Sequence, residues 1–203
     1  MLWERCCTSV EQVRQARDGK ASRVELCSHL ELDGLTPSRE DIVASVALGI
    51  PVNVMVRPRG GGFVYSADEV SIMLEQIELC GCLGASAVVA GCLDDKSEID
   101  IDATSRLVER AARLGLEFTF HRAFDLCPDK EKSLEYLIDI GCTRVLTSGG
   151  APTALEGASV IGRLVSISAG RIIVMPGGGV TPSNVSQLHA LTGASEFHGT
   201  RLC

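Results

Sequence analysis

Glu25-Leu26-Cys27 and Glu4-Arg5-Cys6 repeat one pattern, a carboxylate followed two residues later by a thiol. Side chains alternate faces along a strand, so in an extended segment each Glu-x-Cys pair shares a face. Three more segments end in residues of similar capability: Val56-Arg57-Pro58-Arg59, Phe120-His121-Arg122 and Phe197-His198. Around one cavity, Glu4, Glu25, His121 and Glu196 would include an acid and a base, with Glu25 and His121 as the candidate catalytic pair. Arg57, Arg59 and Arg122 could hold an anion through forked hydrogen bonds. The plainer alternative is an internal ion network in which Arg57 and Arg122 neutralise the buried glutamates.

Sharing a cavity requires strands that converge. Strands are expected near residues 2–6, 23–27, 52–57, 86–90, 116–121, 143–147, 171–175 and 195–198, and segments of helical periodicity such as Val70, Met73, Leu74, Ile77 and Leu83 separate them. Parity gives each strand an apolar face and a mixed face: Val52, Val54 and Val56 against Asn53, Met55 and Arg57, and Phe118 and Phe120 against Thr119 and His121. The fold class is therefore α/β, a TIM-like (β/α)8 barrel of eight parallel strands and seven helices with the last helix missing. Its apolar faces meet the helices and its active site sits at the upper end of the interior. Thr36-Pro37-Ser38 and Thr181-Pro182-Ser183 mark helix starts with Thr as the cap, and glycines from Gly19 to Gly193, Gly81 among them, fall where helices should stop.

Composition narrows the partners. The chain of 203 residues has 45% hydrophobic and 22% charged residues, which suits one soluble domain spanning 1–203. A net charge of −7 without a basic run argues against nucleic-acid or anionic-membrane binding. Glu4, Arg5 and Glu11 stand where a signal peptide needs an apolar core, so an intracellular location is expected. The nine cysteines contain no C-x-x-C pair and read as reduced thiols, several of them buried. None of the four lysines falls at a strand end, which disfavours Schiff-base chemistry.

Val24-Glu25-Leu26-Cys27, Leu35-Thr36-Pro37-Ser38, Arg57-Pro58-Arg59-Gly60-Gly61, Phe118-Thr119-Phe120-His121-Arg122-Ala123-Phe124-Asp125, Arg144-Val145-Leu146-Thr147-Ser148-Gly149, Met175-Pro176-Gly177-Gly178-Gly179 and Glu196-Phe197-His198 follow one another in this chain. From residue 4 to 198 they resemble the signature segments of the CutC copper-homeostasis family. The resemblance implies a TIM-like barrel, a homo-oligomer, a cytosolic location that extends to the nucleus, and a Cu(I)-binding role. Two departures stand out: Arg5 replaces an aliphatic residue, so it either snorkels to the rim or frays the first strand, and Asp33-Gly34 replaces Gly-Gly.

Chemistry adds candidates for the copper site. Cu(I) favours soft thiolate and thioether donors. Cys6 and Cys27 close the first two strands at equivalent heights and form the expected Cu(I) pair, while Cys80, Cys82 and Cys142 lie on or just after helices. In a closed barrel His198 approaches Cys6 and Met55 lies beside the strand of Cys27, which makes both candidate extra donors. The bland reading is that the two cysteines only fill the interior.

The competing function is a TIM-barrel enzyme acting on a small anionic or phosphorylated substrate. Arg57, Arg59, Arg122, Gly177 and Gly178 would bind that anion, because a Gly-rich turn after the seventh strand is where many such barrels hold phosphate. An adaptor without catalysis is the third class. The resemblance also implies a tail beyond the eighth strand, so the chain reads as C-terminally truncated, with apolar surface expected to be open around Phe197 and the first helix.

Overall fold

Short apolar runs alternate with amphipathic stretches through the chain, and the structure, a computed structural model, describes residues 1–201. Eight strands form: β1 (Leu2–Cys7), β2 (Arg23–Leu26), β3 (Val52–Met55), β4 (Ala87–Ala90), β5 (Glu117–Phe120), β6 (Arg144–Thr147), β7 (Ile173–Pro176) and β8 (Glu196–Gly199). Between them lie α1 (Val10–Asp18), α2 (Arg39–Val46), α3 (Ala67–Cys82), α4 (Ile101–Arg113), α5 (Lys130–Asp139), α6 (Ala158–Ser168) and α7 (Val185–Thr192). The hydrogen-bonded order is β7-β6-β5-β4-β3-β2-β1-β8. Its two end strands meet, since a Cβ placed on Gly177 would lie 3.6 Å from the Cβ of His198, and the parallel sheet becomes a nearly closed barrel.

Parity sorts the core into two separate clusters. Val24, Leu26, Val52, Val54, Val56, Phe118, Phe120 and Phe197 pack outward with helix residues such as Val13, Met73, Ile77, Leu107 and Leu188. Fully burying side chains of this size stabilises the fold by about 1.5–3 kcal/mol each. Inside the barrel a second apolar cluster holds only Cys6, Cys27, Met55 and Val89.

Helix starts differ from expectation in position. Ser38 caps α2 by accepting from the Asp41 amide at 3.1 Å, whereas the Thr36 hydroxyl donates to Gln76 at 2.9 Å and accepts from the Arg57 amide at 2.8 Å. Thr36 thus ties two βα loops together instead of opening a helix. Thr181-Pro182-Ser183 likewise forms a turn, closed by the Asn184 side chain on the Thr181 amide at 2.9 Å, and α7 starts only at Val185. Gly81 lies inside α3 and packs against Leu114.

At the N-terminal end, β1 is not frayed: Arg5 stays in register with Val24 and Gly199, its side chain half-buried. The expected opening at Phe197 is absent, because the ring is wholly buried and the His189 ring of α7 stands edge-on to it at 6.4 Å. Leu202 and Cys203 lie outside the described residues.

Candidate metal centre

The cysteines approach each other through an offset register. Cys6 pairs with Glu25, not with Cys27, so Cys27 stands two residues further along, just past the end of β2. Both still point inward, and their sulfurs lie 3.8 Å apart. Equivalent height was thus the wrong basis for expecting contact; neighbouring strands in a barrel are staggered, and an inward residue meets one that is offset from it. Gly34, at φ +84, lets the following loop close over the pair: a Cβ there would meet Cys27 Sγ at 3.4 Å and the Met55 methyl at 3.6 Å. A thioether therefore stands beside the two thiols.

Glu25 connects this cluster to a second one. Ligand atoms of Cys6, Glu25 and Cys27 lie within 4.8 Å of one another, as do those of Glu4, Glu25 and His198. His198 Nδ1 is 2.8 Å from Glu4 Oε1. Burial alone would lower the imidazole pKa, but the charges of Glu25 and Glu4 and the bond to Glu4 outweigh it and raise the pKa to about 9. Burial would raise Glu4, yet His198 and Arg23 bring it down to about 2. His198 is therefore held as a cation against Glu4, which makes it a poorer metal donor than the sulfurs. Burial pushes the Glu25 carboxyl up, against the pull of the His198 charge, and its Oε2 has no hydrogen-bond partner. Cys6 is held as a thiol by its contact with Cys27, by burial and by the Glu25 charge.

Below these residues lies an ion layer built on arginines other than the expected Arg57 and Arg122. Arg23 donates to Glu4 and, at 2.5 Å, to Glu196, while Arg144 donates to Glu196 at 2.8 Å and pairs with Glu117 at 2.9 Å. Asn53 adds a bond to Glu4 at 2.8 Å. Glu4 and Glu196 are thus neutralised by Arg23 and Arg144, and no buried glutamate is paired with Arg57 or Arg122 among the described residues. The signal was available: Arg23 lies two residues before Glu25 and shares its inward face.

A cavity of about 590 Å³ opens above the layer, at the strands' C-terminal ends, and its lining includes Cys6, Glu25, Met55, Arg57, His121, Arg122, Gly178 and His198. Candidate catalytic, anion-binding and metal-binding residues are therefore brought to one mouth, except that Cys27 is not part of its lining. Arg59, expected there, points instead at Glu69 and stacks on Tyr65, 4.8 Å from the ring centroid. Gly177 is not part of the lining; it makes room for Leu146, whose Cδ1 would lie 2.5 Å from any Cβ at that position.

Comparison with known proteins agrees with this architecture. The CutC family model matches residues 1–203. A CutC family protein of Xylella fastidiosa is 48% identical over 193 residues, covering 95% of this chain and 72% of the relative. One from Parabacteroides distasonis is 46% identical over 197 residues, covering 96% and 80%. Among solved structures, a Streptococcus agalactiae chain named for copper homeostasis, CutC, superposes with a TM-score of 0.93 at 37% identity, covering 99% of each chain. An aldolase, QR15, shares the fold alone, with a TM-score of 0.73 at 14% identity and coverage of 97% of this chain and 89% of its own. Family model, relatives and barrel converge, and the chain belongs to the CutC family.

Proposed function

We propose that this protein takes part in copper homeostasis by binding Cu(I) through Cys6 and Cys27, with Met55 as an auxiliary donor. The observation that carries the proposal is the sulfur pair at 3.8 Å inside an apolar cluster completed by a thioether, with Cys6 and Met55 lining an open cavity. Soft sulfur donors in apolar surroundings suit Cu(I) over hard divalent ions. The neighbouring imidazole is paired with Glu4, and burial pushes the Glu25 carboxyl toward its neutral form. None of the eight described cysteines is in a disulfide, which supports a reducing compartment, the cytosol with extension to the nucleus. Among the described residues no helix is long and apolar enough to cross a membrane. Homo-oligomer assembly belongs to the same proposal, and light scattering checks it.

Anaerobic Cu(I) titration against a competing chelator tests the site. Replacing both Cys6 and Cys27 with Ser should abolish tight binding, because a hydroxyl is a poor soft donor. Wild-type affinity in the double variant would sink the assignment, as would tighter binding of Zn²⁺ than of Cu(I).

A further inference from the structure

Arg57 is a buried cation with no carboxylate among its hydrogen-bond partners in the described residues. Its side chain is 2% exposed. Nη1 donates to the carbonyls of Leu32 at 2.6 Å and Gly34 at 3.2 Å, Nη2 to that of Gly61 at 2.7 Å, and Nε has no partner. Removing a guanidinium from water without a counter-charge is costly, and a buried donor left unfilled adds to that cost. The side chain nevertheless lines the cavity, flanked by Phe63, whose ring centroid lies 4.8 Å from the guanidinium carbon.

Two further side chains that carry donors line the same space. The His121 ring, 4.8 Å from Phe63, is 4% exposed. Its Nδ1 accepts from the Ala123 amide at 3.3 Å, which fixes the proton of the neutral ring on Nε2, and Nε2 has no partner. Burial, then the charge of Arg57, lowers the His121 pKa to about 3, so the ring stays neutral and keeps that single donor. Arg122 gives Nε to Asp125 and Nη2 to Ser148, and its Nη1 faces Gly178, where a Cβ would stand 3.4 Å away.

The acids along this cavity do not answer Arg57. Asp125 accepts from Arg122, Thr147, the Ser148 hydroxyl and the Ser148 and Gly150 amides, Asp33 is exposed at the rim, and Glu25 belongs to the thiol cluster. A volume of about 590 Å³ is within the range of small-molecule sites.

We propose that the barrel mouth binds a small organic oxyanion, a carboxylate or a phosphate, seated against Arg57 Nε, His121 Nε2–H and the open edge of Arg122. The ligand supplies the charge that Arg57 lacks and fills both orphaned donors. It sits beside the thiol pair without using it, so the anion site and the copper site stand or fall separately.

Calorimetric titration of the metal-free protein with inorganic phosphate, and separately with malonate, tests the proposal and tells the two oxyanion classes apart. At least one should bind saturably with a Kd at or below about 1 mM. Arg122→Gln and His121→Gln should each weaken that binding at least about tenfold, and the Cys6→Ser, Cys27→Ser double variant should retain it while losing Cu(I). In the wild-type protein, which avoids any folding defect, the His121 imidazole NMR resonances should move with the titration. No saturable heat from either anion up to about 10 mM overturns the proposal, as do unchanged affinities in both variants or His121 resonances that stay fixed while heat is released.

Discussion

Arg23→Met replaces the cation at the centre of the ion layer with an apolar side chain that can lie along the same path. Arg23 serves Glu4 and Glu196 together, the side chains being 7%, 0% and 11% exposed, so solvent cannot take its place. Removing one member of a buried ion pair costs about 3–5 kcal/mol, because the remaining charges stay buried. For a chain of this length that corresponds to a fall in melting temperature of roughly 6–20 °C. The loss should depend on pH. Glu4 ionises near pH 2 in the fold instead of its usual 4.5, so its contribution is complete above pH 4.5 and disappears as pH falls toward 2. Arg23 is one source of that shift, and the gap between wild type and variant should therefore close as pH drops from 4.5 toward 2. Urea denaturation followed by circular dichroism across that range measures both effects. A loss below about 1 kcal/mol at neutral pH, or a gap that does not change with pH, would refute the reasoning.

Further outcomes follow from neighbouring geometry. The His198 imidazole should titrate near pH 9 by NMR, and Glu4→Gln should lower that midpoint; titration at 6.5 in the wild type would remove the imidazolium from the cluster. Because this pKa is raised, the contribution of the His198 charge to stability is complete at pH 6.5, down to the range where Glu4 is protonated, and is lost as pH rises through 9. Gly34→Ala should destabilise by about 1–2 kcal/mol, since φ +84 is a left-handed conformation that an L side chain rarely adopts, and a melt shows whether it does. Cys80→Ser and Cys142→Ser should leave Cu(I) affinity nearly unchanged, because both thiols are buried outside the barrel interior with the helix-layer core.

Parity carried most of what the sequence could tell about this site. It placed Asn53, Met55, Thr119, Glu196 and His198 inside the barrel, where the structure has them, because alternation follows from strand geometry and needs no knowledge of neighbours. It stops where strands stop. Arg59 lies four residues beyond β3, so its direction is set by the loop and by Glu69. The stagger of β1 on β2 was equally hidden, because register depends on barrel closure, and only the structure shows Cys6 opposite Glu25. The ion-pairing role of Arg23 and Arg144 is hard to read for a different reason: both open their strands, where an arginine reads naturally as a solvent-facing residue. In a barrel those positions form the floor of the interior and are closed to water.

X-ray absorption at the copper edge, on protein loaded anaerobically with one equivalent of Cu(I), addresses the central claim most directly. The first coordination shell should contain sulfur alone, supplied by Cys6, Cys27 and Met55, and a Met55→Leu variant should lose at most one sulfur while remaining bound. A first shell containing nitrogen or oxygen from His198 or Glu25, or one unchanged in the Cys6→Ser, Cys27→Ser variant, would contradict the account.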